Sequence, residues 1–276
     1  VATIPNKVKE RFIKSVSKFN RILSTAKDRD INESDTVNII SDMLSEVFGY
    51  DKYTELTSEF AIRGTFCDLA IKLDNKVRFL IEAKAVGIDL KSNHLKQSID
   101  YAANQGITWV ILTNGIHWQI HKVRFEKPIN HDLVADIDFS QMNPRADKDQ
   151  QCLFLIAKEG VQKDVREEFY EKIQNINKYV IGNFLLSDPI ITSLRKELRK
   201  FADGLKIEPD ELREIIKNEV IKRETIDSEE GKKAESKVNR YLRKATRMQA
   251  KPKEEATGGE TTKTEDIPHQ FKPPTQ

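Results

Sequence analysis

Two short apolar segments separated by a tight-turn signal constrain this chain most. Thr65-Phe66-Cys67-Asp68-Leu69-Ala70-Ile71 is followed by Asp74-Asn75-Lys76 and then by Phe79-Leu80-Ile81-Glu82-Ala83-Lys84. Asp and Asn favour hairpin turns, so the segments are expected to pair as antiparallel strands. A hairpin centred near residues 75 and 76 sets Asp68 opposite the stretch from Glu82 to Lys84, within one register step. Side chains two apart on a strand share a face, so Glu82 and Lys84 point the same way. Two carboxylates and an ammonium are thereby expected at one edge of a sheet.

That trio suits phosphodiester hydrolysis. Asp68 and Glu82 are hard oxygen ligands of the kind Mg²⁺ prefers, with Mn²⁺ as a substitute, and they leave positions for water and substrate oxygens. A metal there lowers the pKa of a bound water and polarises the phosphoryl group. Lys84 is placed to hold that water or the developing charge, and loss of such a group typically lowers the rate about 10²–10⁴-fold. Glu-Ala-Lys by itself is also what a surface salt bridge looks like, so the neighbouring motifs decide.

A helix is expected to start near Asp89 and to carry Gln97-Ser98-Ile99-Asp100-Tyr101, with Gln97 and Tyr101 four apart on one face. The β-branched run 107–112 suits a buried strand, and Asn114-Gly115 turns into a further strand over 116–122. This order of strand, strand, helix, strand, strand, with Asp68, Glu82-Ala83-Lys84 and the Gln97–Tyr101 helix, resembles the PD-(D/E)xK nucleases. It looks most like the N-terminal nuclease domain of type I restriction enzyme R subunits, over about residues 30–125. The resemblance implies an α/β fold with a restriction-endonuclease-like core, a central mixed sheet flanked by helices. It further implies that Asp68 and Glu82 bind the metal, that Lys84 is catalytic, and that Gln97 and Tyr101 support cleavage near the DNA. Cys67 stands where the family pattern has Pro. The family also carries a glutamate on the helix before the sheet. Glu33 is the best match for this third metal ligand, with Glu46 as its rival; each also reads as a cap or a solvated acid.

The helix bearing Glu33 opens at Asn32 and runs to Phe48, with Val37, Ile40, Met43, Leu44 and Val47 at helical spacing. Ahead of it, residues 5–27 form an amphipathic helix with Val8, Phe12, Ile13, Val16, Phe19 and Leu23 on its apolar side. With 276 residues and 38% hydrophobic content the chain can bury a substantial core. Its formal net charge is only +2, so DNA binding has to rest on local patches. Cys67 and Cys152 imply no disulfide framework. No run reaches the length of a membrane span and no signal pattern opens the chain, so no membrane partner and a cytoplasmic location are expected.

Asp136-Ile137-Asp138-Phe139 reads as an edge strand, and from about 148 to 247 the pattern is helical. Phe169, Ile173, Ile176, Val180 and Phe184 suggest one helix, ended by Ser187-Asp188-Pro189. Ile191, Leu194, Leu198 and Phe201 line a second, and Pro209 starts a third with Leu212, Ile215, Ile216, Val220 and Ile221. Nothing in these residues chooses between a second domain, a homodimer interface and a docking surface for a partner protein. Lys232, Lys233, Lys237, Arg240, Arg243, Lys244, Arg247 and Lys251 read as a solvated basic helix, or as phosphate contacts. Residues 250–276 hold too few apolar groups to offset ordering entropy and are expected to be disordered. His117 and His121 are four apart on a strand but have no cysteine beside them to complete a zinc set. No G-x-x-x-x-G-K-[ST] run occurs, so the chain is expected to lack the ATP-driven translocase that follows this domain in full R subunits. The sequence therefore points to an Mg²⁺-dependent DNA endonuclease, and the resemblance alone implies a place in restriction or phage defence. The alternative is a nuclease-like module that binds DNA or a protein without catalysis.

Overall fold

The structure is a computed structural model that describes residues 3–62, 65–202 and 206–249. It divides into two compact units, 1–176 and 177–276.

The first unit is built on a six-stranded mixed sheet in sequential order, β1 (Leu56–Ile62), β2 (Thr65–Leu73), β3 (Lys76–Ala83), β4 (Trp109–Thr113), β5 (His117–Arg124) and β6 (Asn130–Asp138). Every neighbouring pair is antiparallel except β3 and β4, which run parallel. Parallel neighbours need a crossover, and here it contains helix α3 (Lys96–Gln105), ended by Gly106 in the left-handed conformation at φ 68°. The β2–β3 turn uses Asp74 and Asn75, both at positive φ, as the hairpin signal requires. Its register is not uniform. Leu73 faces Lys76 and Lys72 faces Val77, but Ile71 faces Phe79, so Arg78 is a bulged residue with no partner on β2.

Strand alternation sends Leu69, Ile71, Phe79, Ile81 and Ile111 into the larger apolar layer and Ala70, Leu80, Val110 and Leu112 into a smaller one beneath α3. The larger layer is closed by α1 (Asn6–Asp28), α2 (Glu33–Glu46), α4 (Asp147–Phe154), α5 (Lys158–Gln162) and α6 (Val165–Asn175). Val8, Phe12, Val16, Phe19 and Leu23 of α1 are buried there at 3–4 spacing, whereas Ile13, expected on the same side, is exposed. The tight corner between β4 and β5 also needs glycine. Gly115 sits at φ +85°, and a Cβ there would come within 2.7 Å of Leu23.

Unit 1 therefore takes in both the N-terminal helix α1 and the first part of the expected helical region 148–247. The apolar stripe read as one helix from Phe169 to Phe184 is two, α6 and α7 (Lys178–Leu185). Asn177 interrupts it by accepting a hydrogen bond from the Val180 N–H at 3.0 Å, a helix start inside the expected helix. The second unit continues with α8 (Asp188–Phe201), α9 (Pro209–Ile215), α10 (Arg223–Asp227) and α11 (Glu229–Gln249). Its apolar residues gather in two small clusters, one around Ile191, Leu212, Ile216 and Ile221, the other around Val180, Ala234 and Val238. Ile173, Ile176, Leu194, Phe201, Ile215 and Val220, read as stripe residues, are exposed instead. The tail expected to be disordered lies outside the described residues, as does Lys251. Among the described residues no helix is long and apolar enough to cross a membrane.

Arg11 ties the helical layer together. Its Nε donates to the Val47 carbonyl at 2.9 Å, and its Nη1 and Nη2 donate to both oxygens of Glu159 at 2.8 and 2.7 Å. Burial pushes the Glu159 carboxyl up, but the Arg11 bonds outweigh it and hold the group below its usual range. A depressed carboxyl stabilises the fold above its unfolded pKa and loses that contribution as pH falls through the folded value. Arg11→Met should lower unfolding stability by about 2 kcal/mol at neutral pH, since it removes charge-assisted bonds and strands Glu159. Urea denaturation should show the deficit shrinking as the pH falls through the glutamate range, and a constant deficit would disprove the pairing.

Candidate active site

The β2–β3 ladder stops at the Leu69–Ile81 pair. Beyond it two side chains of β2 take over the work of the backbone. Asp68 accepts the Ala83 N–H at 2.7 Å, and the Cys67 thiol donates to the Ile81 carbonyl at 3.1 Å. Lys84 leaves β3 by donating its N–H to the Thr113 carbonyl of β4 at 2.9 Å. The β2–β3 edge thus opens at Asp68 and Glu82 while β3 stays paired to β4 through Glu82 and Ala83.

Glu82 shares the face of Leu80, toward α3, and both of its oxygens are engaged. Lys84 Nζ donates to Oε1 at 2.8 Å, and the Ser98 hydroxyl of α3 donates to Oε2 at 2.6 Å. Lys84 Nζ also donates to the Ala83 carbonyl at 2.8 Å and pairs with Glu33 of α2 at 3.4 Å. Asn32 fixes the start of that helix by accepting from the Asp35 N–H at 2.9 Å. Glu46, at the other end of α2, pairs with Lys18 at 2.5 Å and is remote from this network.

The electrostatics are those of crowded acids. Burial pushes the Asp68 carboxyl above its usual value, the Ala83 N–H opposes that, and the negative charge of Glu82 adds to it. For Lys84, burial favours the neutral amine, but the Glu82 hydrogen bond and the charges of Glu82, Glu33 and Asp68 win. Its ammonium is held above the ordinary lysine value. Cys67 is buried next to both acids, and its thiol is pushed up to about 12, chiefly by burial.

The structure brings Asp68, Glu82, Lys84 and Glu33 together. Gln97 and Tyr101 lie on α3 at different depths. Gln97 is exposed, whereas Tyr101 is buried in the small apolar layer with Cys67, Ala70 and Leu80. The residue that reaches Glu82 from this helix is Ser98, which the sequence reading did not single out. Its signal was there, since Ser98 shares the buried stripe of Leu95, Ile99 and Ala102, and a polar group on such a stripe needs a partner.

The donor set fits a hard cation. Asp68 and Glu82 offer carboxylate oxygens at a place where negative charge is in excess, and Mg²⁺ commonly takes one or two carboxylates and keeps several waters. Among the described residues no group of three or more His, Cys, Asp or Glu side chains is arranged to hold an ion unaided. Of the two strand histidines, His117 is exposed and His121 is buried, where burial and the nearby His131 lower its pKa to about 4.

The fold is that of an α/β domain, a mixed sheet flanked by helices. Residues 38–137, just over a third of the chain, match the family described as type I restriction enzyme R protein N terminus (HSDR_N). The matched span holds Asp68, Glu82, Lys84, Gln97, Ser98 and Tyr101 and begins just after Glu33. Comparison with curated proteins and with solved structures gives no match.

Because ionised Asp68 is disfavoured by the fold, it subtracts stability as pH rises through the aspartate range and beyond. Asp68→Asn keeps an acceptor for the Ala83 N–H and removes the charge. In metal-free buffer its thermal midpoint should exceed that of the wild type at pH 7, and the gain should vanish in acid where Asp68 is neutral in both states. A lower midpoint at pH 7 would overturn the crowded-acid account.

Proposed function

We propose that this protein is an Mg²⁺-dependent DNA endonuclease of the type I restriction R-subunit N-terminal kind, acting in restriction or phage defence. The observation that carries the reading is the ammonium of Lys84, held 2.8 Å from Glu82 and 3.4 Å from Glu33 beside the crowded Asp68 carboxylate. The family match over 38–137 supports the same chemistry.

Lys84 has a definite part in this reaction. Its raised pKa keeps it protonated at neutral pH, so it acts by donating hydrogen bonds and positive charge rather than as a base. Directed at the phosphate, such a preplaced cation stabilises charge that grows in the transition state. Asp68 and Glu82 would hold Mg²⁺, or Mn²⁺ in its place, and the ion would supply Lewis-acid stabilisation of the phosphate. Glu33, like Glu82, pairs with Lys84, here at 3.4 Å, and so helps to hold the ammonium in place. Ser98 is a positioning residue, because its hydroxyl fixes the Glu82 carboxylate that Lys84 also grips. Gln97 offers both a donor and an acceptor at the exposed side of α3, where a DNA phosphate can approach. Tyr101, buried beneath that helix, supports its packing.

The test is Mg²⁺-dependent cleavage of linear, supercoiled and single-stranded DNA, read together with DNA affinity. Asp68→Ala and Glu82→Ala should abolish cleavage. Lys84→Ala should bind DNA yet cut about 10²–10⁴-fold more slowly. Ser98→Ala and Gln97→Ala should lower the cleavage rate more than the affinity, whereas Tyr101→Phe, which keeps the packed ring, should leave the rate nearly unchanged. DNA binding by the wild type without cleavage in Mg²⁺ or Mn²⁺ would overturn the endonuclease and leave a binding module. Full activity in Lys84→Ala would remove the site.

A further inference from the structure

A polar cavity of about 390 Å³ lies at the other end of β3 from the acidic site. It is lined by Lys76, Arg78, Ile107, Trp109, Asp164 and Arg166, among others. Lys76 starts β3 and Glu82 lies near its end, so some six residues, about 20 Å of strand, separate this cavity from the acidic site.

Its chemistry is the reverse of that site. Arg166 is only 4% exposed, and its guanidinium lies over the rings of Phe79 and Trp109, 4.4 and 5.1 Å from their centroids. Nη1 is sealed from solvent with no hydrogen-bond partner, and among the described residues no carboxylate pairs with the group. The acids that line the cavity are already taken. Arg78 pairs with Asp164 at 2.9 Å, and Lys122 pairs with Glu167. That leaves the exposed Lys76, and Arg166, on which Asp164 acts through its charge without a direct contact, as the cations that form no ion pair of their own among the described residues. Burial lowers the Arg166 pKa to about 10, which still leaves it charged at neutral pH. A buried, charged and unpartnered guanidinium is unfavourable unless something absent from the chain itself completes it.

We infer that this cavity is an anion site that takes the terminal phosphate of a small phosphomonoester, with Arg166 as its principal ligand. Guanidinium donors match phosphate oxygens geometrically, and Lys76 adds charge at the mouth. The recess explains the choice of ligand. A guanidinium this deeply set is reached by a terminal phosphate entering end-on, whereas a duplex backbone phosphate is flanked by sugars on both sides. The volume exceeds what inorganic phosphate needs, and Trp109, Ile107, Val77 and Val161 provide an apolar wall for the rest of the molecule.

The test titrates the whole protein with inorganic phosphate, a nucleoside monophosphate and a short blunt duplex without terminal phosphates, at constant ionic strength. Thermal midpoint and tryptophan fluorescence are the readouts, since Trp109 lines the cavity while Trp118 is wholly buried elsewhere. Phosphate and the monophosphate should each raise the midpoint and change the fluorescence saturably, the monophosphate at lower concentration. Arg166→Met should have an unchanged or higher midpoint without anion and lose both responses. Lys76→Ala, on an exposed turn where folding is not at stake, should weaken binding several-fold. The inference is overturned if neither small anion binds saturably, if Arg166→Met or Lys76→Ala binds as the wild type does, or if only the duplex binds.

Discussion

The Ala83 N–H points at a carboxylate where a regular strand would offer it a carbonyl, and the site is organised around that exchange. Because Asp68 accepts this bond, β2 can part from β3 without leaving a buried donor unsatisfied. Cys67 closes the same gap with its thiol, and Lys84 turns to β4 for its own backbone partner. Asp68 therefore does two things at once. It replaces a rung of the ladder, and it brings negative charge next to Glu82. The fold accepts this crowding because the charges meet at an edge where Lys84, Ser98 and Glu33 can reach them from one strand and two helices.

The same economy explains the unequal apolar layers. The larger one needs α1, α2 and α4–α6 to cover it, and those helices bring Arg11 and Glu159 into a single bidentate pair. The smaller one needs only α3, a helix short enough for its first turn to sit over Glu82. A longer crossover packed across the strand ends would cover the acids rather than deliver Ser98 to one of them.

Much of this was legible in the chain. The Asp74-Asn75 turn, the paired apolar segments, the buried β4 run and the Asn114-Gly115 corner are local signals, and each produced the element expected. The mixed sheet with flanking helices followed from their order. Signals that depend on distant partners were harder to read. β1 was missed because the Ser58-Glu59 centre of a short edge strand interrupts its apolar run. Asn177 was missed because its capping bond competes with an apolar period that runs straight through it. Ser98 was overlooked beside two more conspicuous polar neighbours, since only the packing of α3 on the sheet reveals which of the three meets Glu82. Glu33 and Glu46 are equivalent as residues, and only the direction of α2 separates them.

The bulge at Arg78 sets the phase of the whole hairpin. Strand side chains alternate, so a cross-strand pairing that is off by one residue exchanges the two faces. Continued without the bulge, the register at the turn would place Asp68 across from Ile81, on the core side of the sheet and turned away from Glu82. The one extra residue restores the match between the two acids. It also ejects Arg78 from the ladder toward Asp164, at the mouth of the basic cavity. A single inserted position thus acts as a timing correction whose two ends are an acidic cluster and a basic one, so neither can be re-registered without disturbing the other.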